Sequence, residues 1–142
     1  MPYLEKYKAM MDLFFRYVRE GKIKVRIMFR SMKDEPPRQY SNDEKYFKLY
    51  YQFIKHAFGL RTIPPELAPV YVRIYLDQLP DTKEKCSSFK NFLLAMPNTN
   101  DFQNSPLRIR DGDIAEISSH QHVLLQCVDV VLGAMNFRLN EF

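Results

Sequence analysis

The sequence of 142 residues predicts a single α/β domain with about four helices and a short, mostly parallel sheet. Segments with helical periodicity alternate with segments of two-residue alternation, in the order helix, strand, helix, strand, helix, strand, helix. Strands that are separated by helices pair in parallel through right-handed crossovers. The composition is 46% hydrophobic, so a domain of this length has enough apolar material for a core.

The N-terminal part of the chain predicts a helix followed by a strand. Pro2 stands where a first-turn proline is tolerated, and apolar residues then recur at helical spacing as far as Val18. Gly21 ends this helix. From Ile23 to Arg30 apolar and polar residues alternate, which predicts a strand.

A second helix is predicted from a capping box formed by Ser41 and Glu44, and it ends at Gly59. Its many Phe and Tyr residues are interleaved with lysines. Such a pattern permits stacking on nucleic-acid bases, but it is more typical of a core with a solvated rim. Further along, Val70 to Asp77 alternates and predicts a second strand that ends on an acid.

The C-terminal half continues with a third helix, capped by Asp81 and Glu84 and ended by Pro97. Leu107 and Ile109 predict a short strand. Asp111-Gly112 is a turn signal, so Ile114–Ile117 is interpreted as a return strand. Ser118 or Ser119 is expected to start the last helix.

The last helix carries one polar stripe on an otherwise apolar surface. The residues of the stripe recur at spacings of four, three, four and three: His122, Gln126, Asp129, Gly133 and Asn136. This spacing places them on one face, over about 21 Å of helix axis. Because helices that are apolar on the remaining faces are buried, we expect Asp129 close to the interior, where it needs a hydrogen-bond partner, a cation or a metal ion.

Charge, cysteines and hydropathy restrict the class of protein. The net charge of +4 permits binding to a polyanion without requiring it. Cys86 and Cys127 form no disulfide framework, which predicts a reduced, cytoplasmic location. The N-terminal segment carries charges through its apolar positions, unlike a signal peptide, and no apolar run is long enough to cross a bilayer, so no membrane association is expected.

Two segments together resemble a known family. The strand VYVRIYLD ends in Asp77, and Ser118 or Ser119 precedes the helix LLQCVDVVLGA, which contains Gln126 and Asp129. This arrangement resembles domain-of-unknown-function family 3800, whose fold is regarded as ribonuclease H-like. The helix match is the more specific one, because Gln, Asp and Gly stand at fixed offsets inside an apolar run.

The resemblance implies a metal-dependent nuclease-like activity on nucleic-acid phosphodiesters. Asp77 and Asp129 would be the catalytic carboxylates and the ligands of Mg²⁺ or Mn²⁺, and they would have to converge. Gln126 and Ser118 would support them by orienting a ligand and by hydrogen-bonding a carboxylate or phosphate.

The family's usual N-terminal strand with an Asp-Glu-Ser-Gly signature has no counterpart here, so the resemblance implies an incomplete ribonuclease H-like fold that lacks a central strand and one metal ligand. Unpaired edges and apolar helix faces would then favour a homo-oligomer. The alternative is a non-catalytic interaction module that self-associates, in which Asp129 is a structural carboxylate paired with Arg73 or another base.

Overall fold

A computed structural model describes residues 2–29, 42–77, 79 and 83–140 of the chain. The chain forms two compact units. The helical unit comprises Met1–Val25 and Ile117–Phe142, and the sheet unit comprises Arg26–Glu116. That both belong to one domain stays a prediction.

The described residues form a mixed α/β arrangement with four α-helices and short parallel strands. The elements follow in this order: α1 (Pro2–Arg19), α2 (Asn42–Ala57), β1 (Val70–Tyr71), β2 (Ile74–Leu76), α3 (Lys83–Ala95), β3 (Leu107–Arg108), β4 (Ile114–Glu116) and α4 (Val123–Leu139). All four predicted helices are therefore confirmed. The predicted caps Ser41 and Asp81 lie outside the described residues. No helix in the described ranges is long and apolar enough to span a membrane.

Glycines end the first two helices as expected. Gly21 and Gly59 both have φ of +72°, in the left-handed region that residues with a Cβ rarely adopt. Gly21 donates its N–H to the carbonyl of Val18 at 3.0 Å. Gly59 leads into a short 3₁₀ turn at Leu60–Thr62.

The last helix begins later than predicted. Ser119–Gln121 forms a separate 3₁₀ turn, and His122 is extended, with φ −136° and ψ 113°, so α4 starts at Val123. Ser118 and Ser119 are therefore not its first residues. In the helical unit α1 and α4 contact each other, and Phe14 and Cys127 are buried.

The predicted strand from Ile23 to Arg30 is wrong for the part that is described. Residues 24–29 belong to no helix or strand. Alternation gives a segment two distinct faces, but a strand also needs a neighbour whose backbone accepts and donates its hydrogen bonds. No strand of the described residues pairs with this segment.

The sheet unit contains two parallel strand pairs, which confirms the predicted parallel pairing. β1 pairs with β3, with Val70 opposite Leu107, and β2 pairs with β4, with Ile74 opposite Ile114. α3 lies between the paired strands in the sequence, as a parallel connection requires.

The predicted hairpin around Asp111-Gly112 is wrong. β3 and β4 do not pair with each other; β3 pairs in parallel with β1, and β4 pairs in parallel with β2. Two residues separate β1 from β2 and five separate β3 from β4, and the Asp-Gly pair lies in a 3₁₀ turn at Asp111–Asp113 within the longer segment. The turn signal therefore marks a segment that connects strands of two different pairs and not a hairpin.

The core of the sheet unit forms between α2, α3 and the strands. Its buried members are apolar: Ile54, Leu60, Leu76, Phe89, Leu93, Met96, Phe102, Leu107 and Ile114. Neither cysteine forms a disulfide, and both are buried: Cys86 in the sheet unit and Cys127 in the helical unit. Burial raises the pKa of the Cys127 thiol.

Candidate functional site

Asp77 lies in the sheet unit, directly after the carboxyl end of β2, and its side chain is exposed. The neighbouring parallel strand β4 ends at Glu116, which is opposite Leu76 in the register. The Glu116 carboxylate lies 3.9 Å from the ammonium of Lys90. Two acids therefore stand at the same edge of the parallel strands, the edge at which open α/β sheets bind ligands.

The hydroxyl of Tyr50 on α2 is influenced by the charge of Asp77 at this edge. Burial raises the pKa of the Tyr50 hydroxyl, and Tyr46 and Asp77 raise it further. The phenol therefore stays protonated near neutral pH and retains a hydrogen to donate.

Asp129 lies in the helical unit, on α4, and it is exposed. The prediction that this carboxylate is held close to the interior is therefore wrong. Cys127 is the one buried residue of α4, and large apolar side chains on the other faces of the helix are exposed. The apolar composition of α4 consequently does not mean that the chain itself buries this helix.

The two proposed supporting residues take local roles at the start of α4. The side-chain amide of Gln126 donates to the carbonyl of His120 at 3.1 Å, which fixes α4 to the preceding 3₁₀ turn. Ser118 and Ser119 are half-buried, and their carbonyls accept hydrogen bonds from Gln121 and His122. Both serines precede α4 closely, and within the described residues neither hydroxyl hydrogen-bonds to a carboxylate.

Among the described residues, the carboxylate that is buried is Asp113, at the end of the 3₁₀ turn Asp111–Asp113. It is 5% exposed. Arg110 donates to it from its backbone N–H and from Nε, each at 2.9 Å, and from Nη2 at 3.3 Å. These bonds lower the pKa of Asp113 and raise that of Arg110, and the nearby charge of Arg73 acts in the same direction on Asp113.

Arg73 pairs with Asp113 of its own unit, whereas its pairing with Asp129 of the other unit, which the structural alternative expected, stays a prediction. Its Nε lies 3.6 Å from Oδ1 of Asp113. Arg73 lies between β1 and β2, and Asp113 ends the insertion between β3 and β4. The guanidinium of Arg110 also lies 4.3 Å from the ring centre of Tyr71 on β1. Arg73, Arg110 and Asp113 therefore join the link between β1 and β2 to the link between β3 and β4, where the register of the strand pairs changes. This is a structural role.

The aromatic residues of α2 pack inwards in part. The ring of Phe47 stacks on Phe89 at 4.8 Å between ring centres, and Tyr50 stacks on the same ring at 5.6 Å. Phe47, Tyr50 and Tyr51 pack against the core. The core interpretation of this pattern is therefore confirmed for these three partly buried residues.

The helical unit exposes an apolar stripe along α1. Four side chains recur at spacings of three, four and four, and we call them the α1 stripe: Leu4, Tyr7, Met11 and Phe15. Leu4, Tyr7 and Phe15 are 51%, 52% and 45% exposed. A groove of about 390 Å³ runs along the stripe and is completed by Lys8 and Asp12. The stripe has the spacing of a helix face that packs against another helix.

Comparisons with protein-family models, with characterised proteins and with solved structures find no match to this chain. In the described part of the chain, no group of three or more His, Cys, Asp or Glu side chains is placed to hold a metal ion. Asp77 and Asp129 belong to different units, and their convergence stays a prediction.

Two properties of the structure, the burial of Asp113 and the exposure of the α1 stripe, cannot be read from the sequence pattern. Asp113 stands three positions after Arg110, a spacing that permits a local pair, but nothing in the spacing reveals that the carboxylate is buried. For α1 the sequence predicts apolar residues at helical spacing as far as Val18, which gives the helix an apolar face. Its exposure depends on which surfaces the rest of the chain covers, and periodicity carries no information on that.

Proposed function

We propose that this chain is an interaction module that self-associates, with the α1 stripe packed against the α1 stripe of a second copy about a two-fold axis. The observation that supports this function best is the exposure of apolar side chains on the helical unit. Twelve large apolar residues of α1 and α4 are between 38% and 72% exposed. Monomeric proteins rarely expose contiguous apolar patches larger than a few hundred Å².

The number of exposed side chains suits a protein–protein interface. An interface of standard size buries about 800 Å² on each partner and involves roughly 20 to 30 residues a side. Burial of apolar surface contributes about 25 cal/mol per Å² to association. α1 and α4 contact each other, and their twelve exposed large apolar residues would supply about half of the residues on one side of such an interface.

The charges beside the α1 stripe favour a second copy as the partner. Lys8 and Asp12 stand one turn apart on the same side of the groove. In an antiparallel pair of α1 helices with its two-fold axis near Met10, Lys8 of each copy faces the partner's Asp12. Because the axis repeats the contact, each interface contains two such opposite-charge pairs. Within the described residues, Asp12 has no ion pair, whereas Lys8 lies 3.2 Å from Glu5 in a solvent-exposed contact.

Light scattering coupled to size-exclusion chromatography tests the proposal. We expect a mass above that of one chain for the natural protein, and a monomer for Phe15→Glu, because a charge in the stripe must be desolvated in each copy. The matched control is Phe92→Glu on α3, which replaces a 66% exposed phenylalanine outside the helical unit. A natural protein that stays monomeric, or a Phe15→Glu variant as large as the control, would contradict the proposal.

A second candidate is the metal-dependent nuclease-like activity that the resemblance implies. Two observations favour it: the segment from Leu124 to Gly133 lies within one continuous helix, and Asp77 follows β2 at the edge where the parallel neighbour ends. In this candidate Asp77 and Asp129 hold Mg²⁺ or Mn²⁺, supported by Ser118 and Gln126. Magnesium accepts one or two carboxylates together with water and substrate phosphates.

The nuclease candidate predicts weak, Mg²⁺-dependent cleavage of nucleic acid. Asp77→Asn and Asp129→Asn should each abolish it, because the amide keeps the shape and removes the charge that the metal needs. Asp111→Asn, at an exposed acid in the 3₁₀ turn, serves as the control and should cleave as the natural chain does. Cleavage that survives in Asp129→Asn would exclude this assignment of the site.

A further inference from the structure

The sheet unit contains a polar cleft that neither candidate function uses. It has a volume of about 520 Å³ and lies beside β3, lined by Arg108 and by residues of the segment between Pro97 and Ser105. Its size falls in the range of small-molecule sites, which is about 300 to 1,000 Å³. Four exposed amides line it, and in the described structure their side chains hydrogen-bond to no other residue: Asn98, Asn100, Gln103 and Asn104.

Two hydrogen bonds orient the guanidinium of Arg108 at this cleft. Its Nη1 donates to the carbonyl of Leu107 at 2.8 Å and to the carbonyl of Ser105 at 3.1 Å. The hydroxyl of Ser105 accepts the backbone N–H of Leu107 at 3.2 Å, which fixes the carbonyls that hold the arginine. Nε and Nη2 of Arg108 donate to no residue that the structure describes, and these two nitrogens form the planar edge that binds an oxyanion with two parallel hydrogen bonds.

The wall of the cleft is ordered by local hydrogen bonds. The hydroxyl of Thr99 donates to the carbonyl of Met96 at 2.8 Å, and the backbone N–H of Phe102 donates to the carbonyl of Thr99 at 3.0 Å. Ser105 then donates its N–H to the carbonyl of Phe102 at 2.9 Å. Phe102 is 2% exposed and fixes the segment to the core. A preformed wall lowers the entropy lost when a ligand binds.

The geometry points to a binding site for a small hydroxylated molecule that carries one oxyanion, either a phosphate or a carboxylate. Arg108 is the one charged residue of the lining, so it matches a single anionic group. The amides both donate and accept hydrogen bonds, as a body with several hydroxyl groups requires. A nucleic acid fits less well, because its backbone needs several cations and its bases need exposed aromatic rings, whereas Phe102 is buried.

Titrations of the full chain followed by ¹H–¹⁵N NMR test this inference. We expect glucose 6-phosphate or gluconate, each at up to about 10 mM, to shift the amide signals of residues 97–105. Glucose 6-phosphate tests a phosphate as the bound oxyanion, and gluconate tests a carboxylate. Glucose and inorganic phosphate should bind more weakly, because glucose lacks the oxyanion and inorganic phosphate lacks the hydroxylated body.

Substitution of the arginine gives the decisive comparison. Arg108→Gln should weaken the better ligand about tenfold or more, and Arg108→Lys should also weaken it, because lysine keeps the charge without the planar edge. Arg16→Gln removes the same charge from an exposed side chain of α1 and should bind normally. If Arg108→Gln does not fold, Arg108→Lys together with Asn98→Ala carries the test.

The inference is overturned if neither sugar derivative shifts these signals, if both Arg108 variants bind like the natural chain, or if a short oligonucleotide shifts them and the sugar derivatives do not. Phe15→Glu should bind the ligand as the natural chain does, so failure of the proposed self-association leaves this test intact.

Discussion

Replacing Phe89 with alanine is expected to lower the free energy of unfolding by about 4 kcal/mol. Phe89 is 2% exposed and lies at the centre of an aromatic stack between α2 and α3. Truncation of a buried phenylalanine costs about 3 to 5 kcal/mol. The upper half of that range applies because the variant also loses two stacked ring pairs, with Phe47 and with Tyr50, and each is worth roughly 0.5 to 1.5 kcal/mol. The loss is a large part of the 5 to 15 kcal/mol that is typical for a domain.

Urea denaturation followed by far-UV circular dichroism measures this effect. Phe92→Ala is the matched control, since Phe92 lies three residues further along α3 and is 66% exposed. It should change the free energy of unfolding by less than about 0.5 kcal/mol. Phe89→Leu keeps apolar volume but loses the ring pairs, and an intermediate loss of about 2 kcal/mol is expected. Equal losses for the alanine variants at 89 and 92 would refute the packing described here.

Four further substitutions or labels test individual side chains. Asp113→Asn should lower the urea midpoint at pH 7. Because the folded-state pKa of Asp113 is depressed, the carboxylate stabilises the natural chain above the unfolded pKa of about 3.9, and this stabilisation is lost as the pH falls through the folded pKa. A difference in urea midpoint between the two chains that is unchanged at pH 2 would contradict the assignment. Asp129→Asn should alter the free energy of unfolding by less than about 0.5 kcal/mol because the residue is exposed; a loss above about 2 kcal/mol would indicate a buried ion pair. Gly59→Ala should cost about 1 kcal/mol because φ is +72°, whereas Gly112→Ala, where a Cβ meets open space, should be tolerated. Cys127, measured in a Cys86→Ser background, should react with a thiol reagent more slowly in the folded chain than in urea, because burial raises the pKa of its thiol; equal rates would contradict its burial.

Local signals predicted the parts of the fold that depend on local physics. Gly21 and Gly59 end α1 and α2 because left-handed backbone is accessible to glycine, and that preference is readable from the residue itself. The order of elements predicted parallel pairing, since α3 separates the paired strands along the chain. The segment from Ile23 failed as a strand because pairing requires a distant partner, which alternation does not identify.

The candidate site was less predictable for the same reason. Asp129 was expected near the interior because α4 is apolar, yet burial depends on whether other elements cover the helix, and here Cys127 alone is buried. Arg73 was considered as a partner of Asp129, and within its own unit it pairs with Asp113, which the spacing of the two residues does not reveal. Sequence patterns identify faces and residue types, whereas the pairing of faces and charges is decided by tertiary packing.

A charge exchange on α1 tests the proposed self-association most directly. In sedimentation equilibrium experiments at low ionic strength, Lys8→Asp alone and Asp12→Lys alone should each weaken the dimer, because each places like charges opposite one another twice across the two-fold axis. The double variant restores opposite charges, so it should associate as the natural chain does. Lys6→Asp, which makes the same exchange outside the groove, should leave the dimer intact. A double variant that dissociates as readily as the single variants, or a natural chain that sediments as a monomer, would contradict the two-fold pairing of α1.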